Sequence, residues 1–347
     1  MSFRQLRIVF ICIDNRWRLC DLLRMICNKK LSCRVFAALV VAGIYAPLPL
    51  AAQSFTALAT TGMIGDVVKA VVGDTGKVEV LLGTGIDPHS YKPTRTDIAR
   101  LSSANIVFYN GLLLEGKMTD ALVRVASAGR PVVAVTEALD EKYLLEPQGF
   151  DGQYDPHVWM DVQGWKKAVE VVRDRMIEFR PALAAAFRTN AARYAGELDK
   201  LDKYAREVVA SVPKQSRVLI TAHDAFNYFG RAYDFEVEGI QGISTESEAG
   251  LKRIQELVDL IVSRKIGAVF VESSVSDRNV RALIEGARAK GHTVRIGGEL
   301  YSDAMGAPGT YEGTYIGMID HNATTIARAL GGKTPARGMQ ALLSRVD

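Results

Sequence analysis

From Phe55 onward, short apolar runs rich in β-branched residues alternate with segments whose apolar positions recur at helical spacing. FTALATT, KVEVLL, ANIVFYN and RPVVAVT read as strands, because such runs bounded by turn residues suit a pleated surface covered on both faces. The stretches between them, such as MIGDVVKAVVGD and LEGKMTDALVRVASA, carry the period of helices packed on one side. Strand and helix in regular alternation build a parallel sheet.

The pattern then changes. Residues 162 to 211 read as helix almost throughout, interrupted only at Arg180-Pro181, where proline suits the first turn of a new helix. Residues 181 to 211 are predicted as one long helix, with Glu197, Asp199, Lys200, Lys203 and Arg206 on its solvated face. Strand signals resume in SRVLITAH, FEVEGI, IGAVFVES and HTVRIGG, interleaved with LKRIQELVDLIVSR, DRNVRALIEGARAK and a last helix from about residue 315 to 330. The expected fold is α/β, with two similar lobes joined by the long helix, each lobe a small parallel sheet flanked by helices. The boundaries are 53–180 for the first lobe, 181–211 for the linking helix and 212–347 for the second lobe. A helix across the junction makes a stiffer hinge than a loop crossover, because bending it breaks its hydrogen-bond ladder.

Composition narrows the class. A chain of 347 residues, 48% hydrophobic and 24% charged, has room for two ordinary domains and is globular. The net charge of +4 is small, and much of it comes from the first 34 residues, so no nucleic-acid surface is expected. There the basic CNKKLSCR precedes the apolar VFAALVVAGIYAPLPL and the small residues Ala51 and Ala52, the layout of a secretory signal over residues 1–52. A start at Met25 would give that signal an ordinary length. The apolar run, with Pro47 and Pro49, falls short of the ~20 residues needed to span a bilayer, so cleavage is expected over anchoring. Cys12, Cys20, Cys27 and Cys33 all lie upstream of the cut, and none follows the apolar core as a lipid-modified cysteine would. The expected product is a thiol-free monomer, free in the periplasm of a double-membraned bacterium.

The chain holds five histidines, and two of them end the same tripeptide: Asp87-Pro88-His89 and Asp155-Pro156-His157. Proline restricts the backbone just before each ring, which would present imidazole from a loop with little freedom to lose. Either histidine alone reads equally well as an ordinary loop residue, and the repetition favours a ligand role. In open α/β sheets the ligand crevice lies at the carboxyl ends of the strands. Four candidates stand there: His89 after KVEVLL, His157 before the long helical stretch, His223 after VLITA, and Asp303 in the glycine-rich loop after TVRI. Their wide separation excludes a local finger motif and leaves the fold to unite them.

The strings DPHSYKPT, YNGLLLEGKM, DPHVWMD, TAHDAFNYFGRAY, GIQGISTESEAG, VFVESS and GGELYSDAMG occur in order across residues 55 to 330. In them the chain resembles the TroA-like periplasmic metal-binding receptors of ABC transporters, the manganese and zinc cluster. The resemblance implies a solute-binding protein, not an enzyme, that hands a divalent transition metal to an inner-membrane permease and its ATPase. It implies one ion, Mn²⁺ or Zn²⁺ with Fe²⁺ as a further candidate, in the cleft between the lobes on His89, His157, His223 and Asp303. The third ligand, His223, is of the TroA type where several manganese receptors have glutamate. Leu113 stands where the family often has a non-ligand histidine. The loop from residue 137 to 154 lacks the histidine-rich insertion of dedicated zinc receptors.

Three neutral imidazoles and one carboxylate suit Mn²⁺, Fe²⁺ or Zn²⁺. Two rivals are a secreted metallohydrolase with a three-histidine zinc site and a surface adhesin. The first would need a companion general base, and no HExxH-like helix supplies one. Around the candidate site, Asp224, Glu272 and Glu299 are possible acceptors for imidazole N–H groups. Glu246 and Glu248 read as a capped helix entry. His292 and His321 read as structural or surface histidines, and Trp159 and Trp165 as packing residues beside the second ligand.

Overall fold

The alternating runs of the first half form a four-stranded sheet in the computed structural model, which describes residues 55–147 and 152–344. The expected signal segment and its four cysteines lie outside the described residues. The first lobe comprises β1 (Thr56–Ala59), α1 (Gly62–Val72), β2 (Lys77–Val80), α2 (Arg95–Ser103), β3 (Ile106–Tyr109), α3 (Thr119–Ser127) and β4 (Val132–Ala134). Its strands are all parallel, in the order β2-β1-β3-β4. Ala57, Ala59, Ile106 and Phe108 pack into one hydrophobic cluster, and the residues between them, Leu58 and Val107, pack into another. Burial on both faces explains why these strands read as unbroken apolar runs.

Next come α4 (Val162–Phe179) and α5 (Ala184–Ala210), separated by a 3₁₀ turn whose first residue is Pro181. The 27 residues of α5 bury Phe187, Ala191, Tyr194, Leu198, Leu201, Ala205 and Val208, a stripe with steps of three and four. Glu197, Asp199, Lys200, Lys203 and Arg206 are exposed, as the pattern predicts. The helix packs against α4 and α1 on the first-lobe side and, on the other, against the last helix of the chain.

The second lobe contains β5 (Val218–His223), α6 (Asn227–Tyr233), β6 (Glu236–Gln241), α7 (Leu251–Arg264), β7 (Ala268–Glu272), α8 (Arg278–Ala289), β8 (Arg295–Leu300) and α9 (Tyr315–Ala329). β5 pairs with β6 and β7 with β8, both parallel, and β5 lies beside β7. These are two two-stranded sheets where one sheet was expected, and set side by side in the order β6-β5-β7-β8 they follow the strand order of the first lobe. The fold is thus the expected α/β arrangement of two similar lobes.

Three local features escape the hydrophobic pattern. The α2 segment buries a single large apolar side chain, Leu101, and starts on a capping box in which Thr94 and Asp97 each accept the other's backbone N–H. With only seven residues, α6 is too short to display a period. Finally, β8 runs through Gly297 and Gly298 to Leu300, so Asp303 follows a longer strand than TVRI alone indicates. Among the described residues no helix is long and apolar enough to cross a membrane.

Candidate metal centre

The carboxyl ends of the strands point the four candidates at one another. One donor atom from each of His89, His157, His223 and Asp303 lies within 4.8 Å of all the others. His89 Nε2 is 3.3 Å from His157 Nε2, and Asp303 carboxylate oxygens lie 3.7, 3.4 and 3.2 Å from the Nε2 atoms of His89, His157 and His223. All four side chains are buried. Two come from each lobe, so the group closes the cleft from both sides.

Each of the three candidate histidines is held through its backbone N–H by a carboxylate. In the first tripeptide Asp87 Oδ1 accepts the His89 N–H at 2.9 Å, and in the second Asp155 Oδ1 does the same for His157 at 2.9 Å. Asp155 Oδ1 also lies 2.7 Å from His157 Nδ1. At the end of β5, Glu272 receives the His223 N–H at 2.8 Å on one oxygen and faces Nδ1 at 2.5 Å with the other. In both rings the Nδ1–H is therefore the donor and Nε2 faces the centre, the atom left to bind a metal once its proton is lost.

What remains at the centre is unpaired. His223 Nε2 and both Asp303 oxygens are buried without a hydrogen-bond partner. Such groups are costly to bury alone, and a cation among them would satisfy all three at once. The donor set of three imidazoles and a carboxylate is able to hold a divalent transition metal ion.

Charge in the site follows from this crowding. Burial works against a charged His157, yet the carboxylates of Asp155 and Asp303 hold its proton up to about 9. Burial also opposes a charge on His223, but Glu272 and Asp303 keep it well above the ordinary range. Burial draws His89 down to about 4, so that ring is neutral. Despite its burial, Asp303 is held ionised far below the usual carboxylate range by His223 and His157.

Of the expected acceptors, Glu272 takes that role and the other two do not. Asp224, which burial pushes up to about 6, follows His223 in sequence, and its backbone N–H reaches Gly242 O at 3.4 Å. Glu299 is exposed, and its carbonyl meets His321 Nε2 at 2.9 Å. Asp155 was not among those expected, although it stands in the repeated tripeptide itself. His292 sits 2.7 Å from Ile266 O, so both remaining histidines serve backbone carbonyls. Leu113 is exposed and outside the cluster.

The helix-entry reading of Glu246 and Glu248 is corrected. Gly250 caps α7 without a side-chain hydrogen bond and no acid lies in the first turn, because the helix begins too far downstream. Glu246 pairs instead with Lys117 across the cleft at 2.6 Å. Trp159 and Trp165 are fully buried, and Trp159 both packs edge-on to His157 at 5.2 Å and donates to Ser302 O at 2.9 Å. It thus fastens the His157 turn to the loop that carries Asp303.

The chain is similar to known proteins in sequence and in fold. The family described as ZnuA, zinc-uptake complex component A, periplasmic, matches residues 58–329. The manganese-binding lipoprotein MntA of Bacillus subtilis is 49% identical over 278 residues, 80% of this chain and 90% of the relative. The zinc-binding protein TroA of Treponema pallidum is 45% identical over 271 residues, 78% of this chain and 87% of the relative. The solved structure of the Treponema pallidum protein superposes with a TM-score of 0.78 at 44% identity, covering 80% of this chain and 99% of that one. The Fe(III)-bound YtgA of Chlamydia trachomatis follows at 28% identity and a TM-score of 0.71, covering 81% and 99%.

Proposed function

Because the chain belongs to the ZnuA family of metal-binding solute-binding proteins, we propose that it captures a divalent transition metal, manganese or zinc, and delivers it to an ABC permease for import. The observation that carries this reading is the convergence of four buried donor side chains, two from each lobe, on one point where His223 Nε2 and both Asp303 oxygens have no hydrogen-bond partner. His89, His157, His223 and Asp303 are the ligands in this reading. Zinc suits one donor from each residue as a tetrahedron. Manganese, weaker on the same donors, gains from bidentate coordination by Asp303, both of whose oxygens are unpartnered.

Four protein ligands leave no open position for an activated water, which supports binding and release of the ion over hydrolysis. The ion is cargo, so the partner is an inner-membrane permease with its ATPase. The leader-like pattern of the first 52 residues supports a periplasmic location, with the lobes and linking helix divided at residues 180 and 211. The test is elemental mass spectrometry of chelator-free protein, followed by metal-dependent melting. One equivalent of manganese or zinc in the wild type, absent from His157→Ala, is the expected result. No stoichiometric metal and no melting shift with any divalent ion would overturn the assignment.

A further inference from the structure

In the segment between β6 and α7, GISTESEAG, no side chain caps the helix, and those of Thr245 and Glu246 reach the opposite lobe. Thr245 Oγ1 donates to Asp87 Oδ2 at 2.6 Å, and Glu246 Oε1 meets Lys117 Nζ at 2.6 Å. Asp87 is the residue whose other oxygen receives the His89 N–H at 2.9 Å, and Ser90 Oγ shares its Oδ2 at 2.7 Å. A single carboxylate therefore joins a candidate ligand's backbone to the second lobe.

The loop is held at its base by the metal-bearing framework. Gln241 is the register partner of His223 in the β5–β6 pair, and its Nε2 donates to Ser247 O at 3.0 Å. Ile243 is buried, whereas Gly242 and Gly250 at the two ends are exposed and have open space where a Cβ would stand. The tip can thus move as a unit between two glycines while its root stays with the ligand strand.

We propose that Thr245 and Glu246 form a latch across the cleft mouth, bonding Asp87 and Lys117, and that release of this latch sets the rate at which the bound metal leaves. This inference rests on the receptor reading above. The two bonds are unequal. Lys117 and Glu246 are both well exposed, and an exposed ion pair is screened and weak. Thr245 is half-buried and donates to a carboxyl group already ordered by two other donors, so it carries most of the closure. Thr245 is a positioning residue, since it reaches the ion only through Asp87 and the His89 loop.

The experiment loads full-length protein with manganese or zinc and follows dissociation into excess chelator by stopped flow. Thr245→Val keeps the shape and removes the donor, and should accelerate dissociation about tenfold, with the association rate and metal-free melting temperature close to wild type. Thr245→Ser restores the hydroxyl and should return the wild-type rate. Lys117→Gln and Glu246→Gln should each give about a twofold to threefold increase, and no further increase when combined. Metal uptake by the wild type with an unchanged dissociation rate in Thr245→Val overturns the latch and leaves the receptor reading standing. Failure of the wild type to take up metal removes the receptor reading, and the latch with it.

Discussion

His223 and Glu272 are joined at two points, the backbone N–H to one carboxylate oxygen at 2.8 Å and ring Nδ1 to the other at 2.5 Å. The two residues end β5 and β7, two strands that lie side by side, so the packing of those strands sets their separation. Double attachment fixes the ring's rotation and its tautomer together, and leaves Nε2 facing the centre.

Glu272→Gln should therefore weaken metal binding without abolishing it. The amide can retain one acceptor bond but loses the charge that favours the Nδ1–H tautomer, and losses of this kind run about tenfold to 100-fold in metal affinity. Chelator competition at fixed pH measures the change. An affinity equal to wild type would show that the β-strand backbone alone orients His223.

Asp155 plays the same part for His157, and its other oxygen accepts from Asn227 Nδ2 at 3.1 Å across the seam. Asp155→Asn should lower metal affinity to a similar extent and, with that second-lobe contact altered, also lower the metal-free melting temperature. Glu272→Gln and Asp155→Asn act on different rings, so their combined effect should exceed either alone. A double variant no weaker than the singles would contradict independent orientation of the two histidines.

Much of this was legible in the sequence, and the misses share a cause. His89 and His157 announced themselves because the same tripeptide occurs twice, and the strands did so because two-sided burial leaves unbroken apolar runs. Asp155 went unnoticed as an acceptor because its role depends on a turn that folds the carboxylate back onto a ring two residues later. Glu246 was misread because a Ser/Thr-rich acidic string upstream of a helix looks like a cap, and only tertiary structure shows that Lys117 is its partner. The seven-residue α6 and the capping-box helix α2 are set by contacts and end chemistry more than by period.

Trp159→Phe tests the fastening of the two ligand loops. It removes the donor to Ser302 O, a fully buried residue beside Asp303, and leaves that carbonyl short of a partner. A cost of about 1–3 kcal/mol in stability follows from an unsatisfied buried group, read by denaturant unfolding of the metal-free protein. Unchanged stability would mean that Ser302 O finds another donor.

Acid should weaken metal binding. The ligand is neutral imidazole, whereas in the metal-free protein Asp155 and Asp303 overcome burial and hold the His157 proton up to about 9. Near neutral pH the ion must displace that proton, so affinity rises with pH toward that value and falls on acidification, by about tenfold per pH unit for each proton released. Titration of Kd between about pH 6 and 8, with proton release read from buffers of different ionisation enthalpy, checks both sign and count. A flat profile would place neutral rings in the metal-free site.

Selectivity should respond to the third ligand, but only if its partner is changed with it. A carboxylate in place of His223 is a harder donor and should raise preference for manganese relative to zinc. Glu272, however, is positioned to receive an N–H from that side chain, with both groups fully buried. His223→Glu alone would set two carboxylates against each other, and like charges at that range force one to take up a proton. The single variant should therefore bind both ions poorly. His223→Glu with Glu272→Gln replaces the repulsion by an amide that can donate, so it should recover binding and shift the manganese-to-zinc affinity ratio upward. Paired competition titrations with the two ions decide the matter: recovery with an unchanged ratio would show that donor hardness at this position does not set the preference.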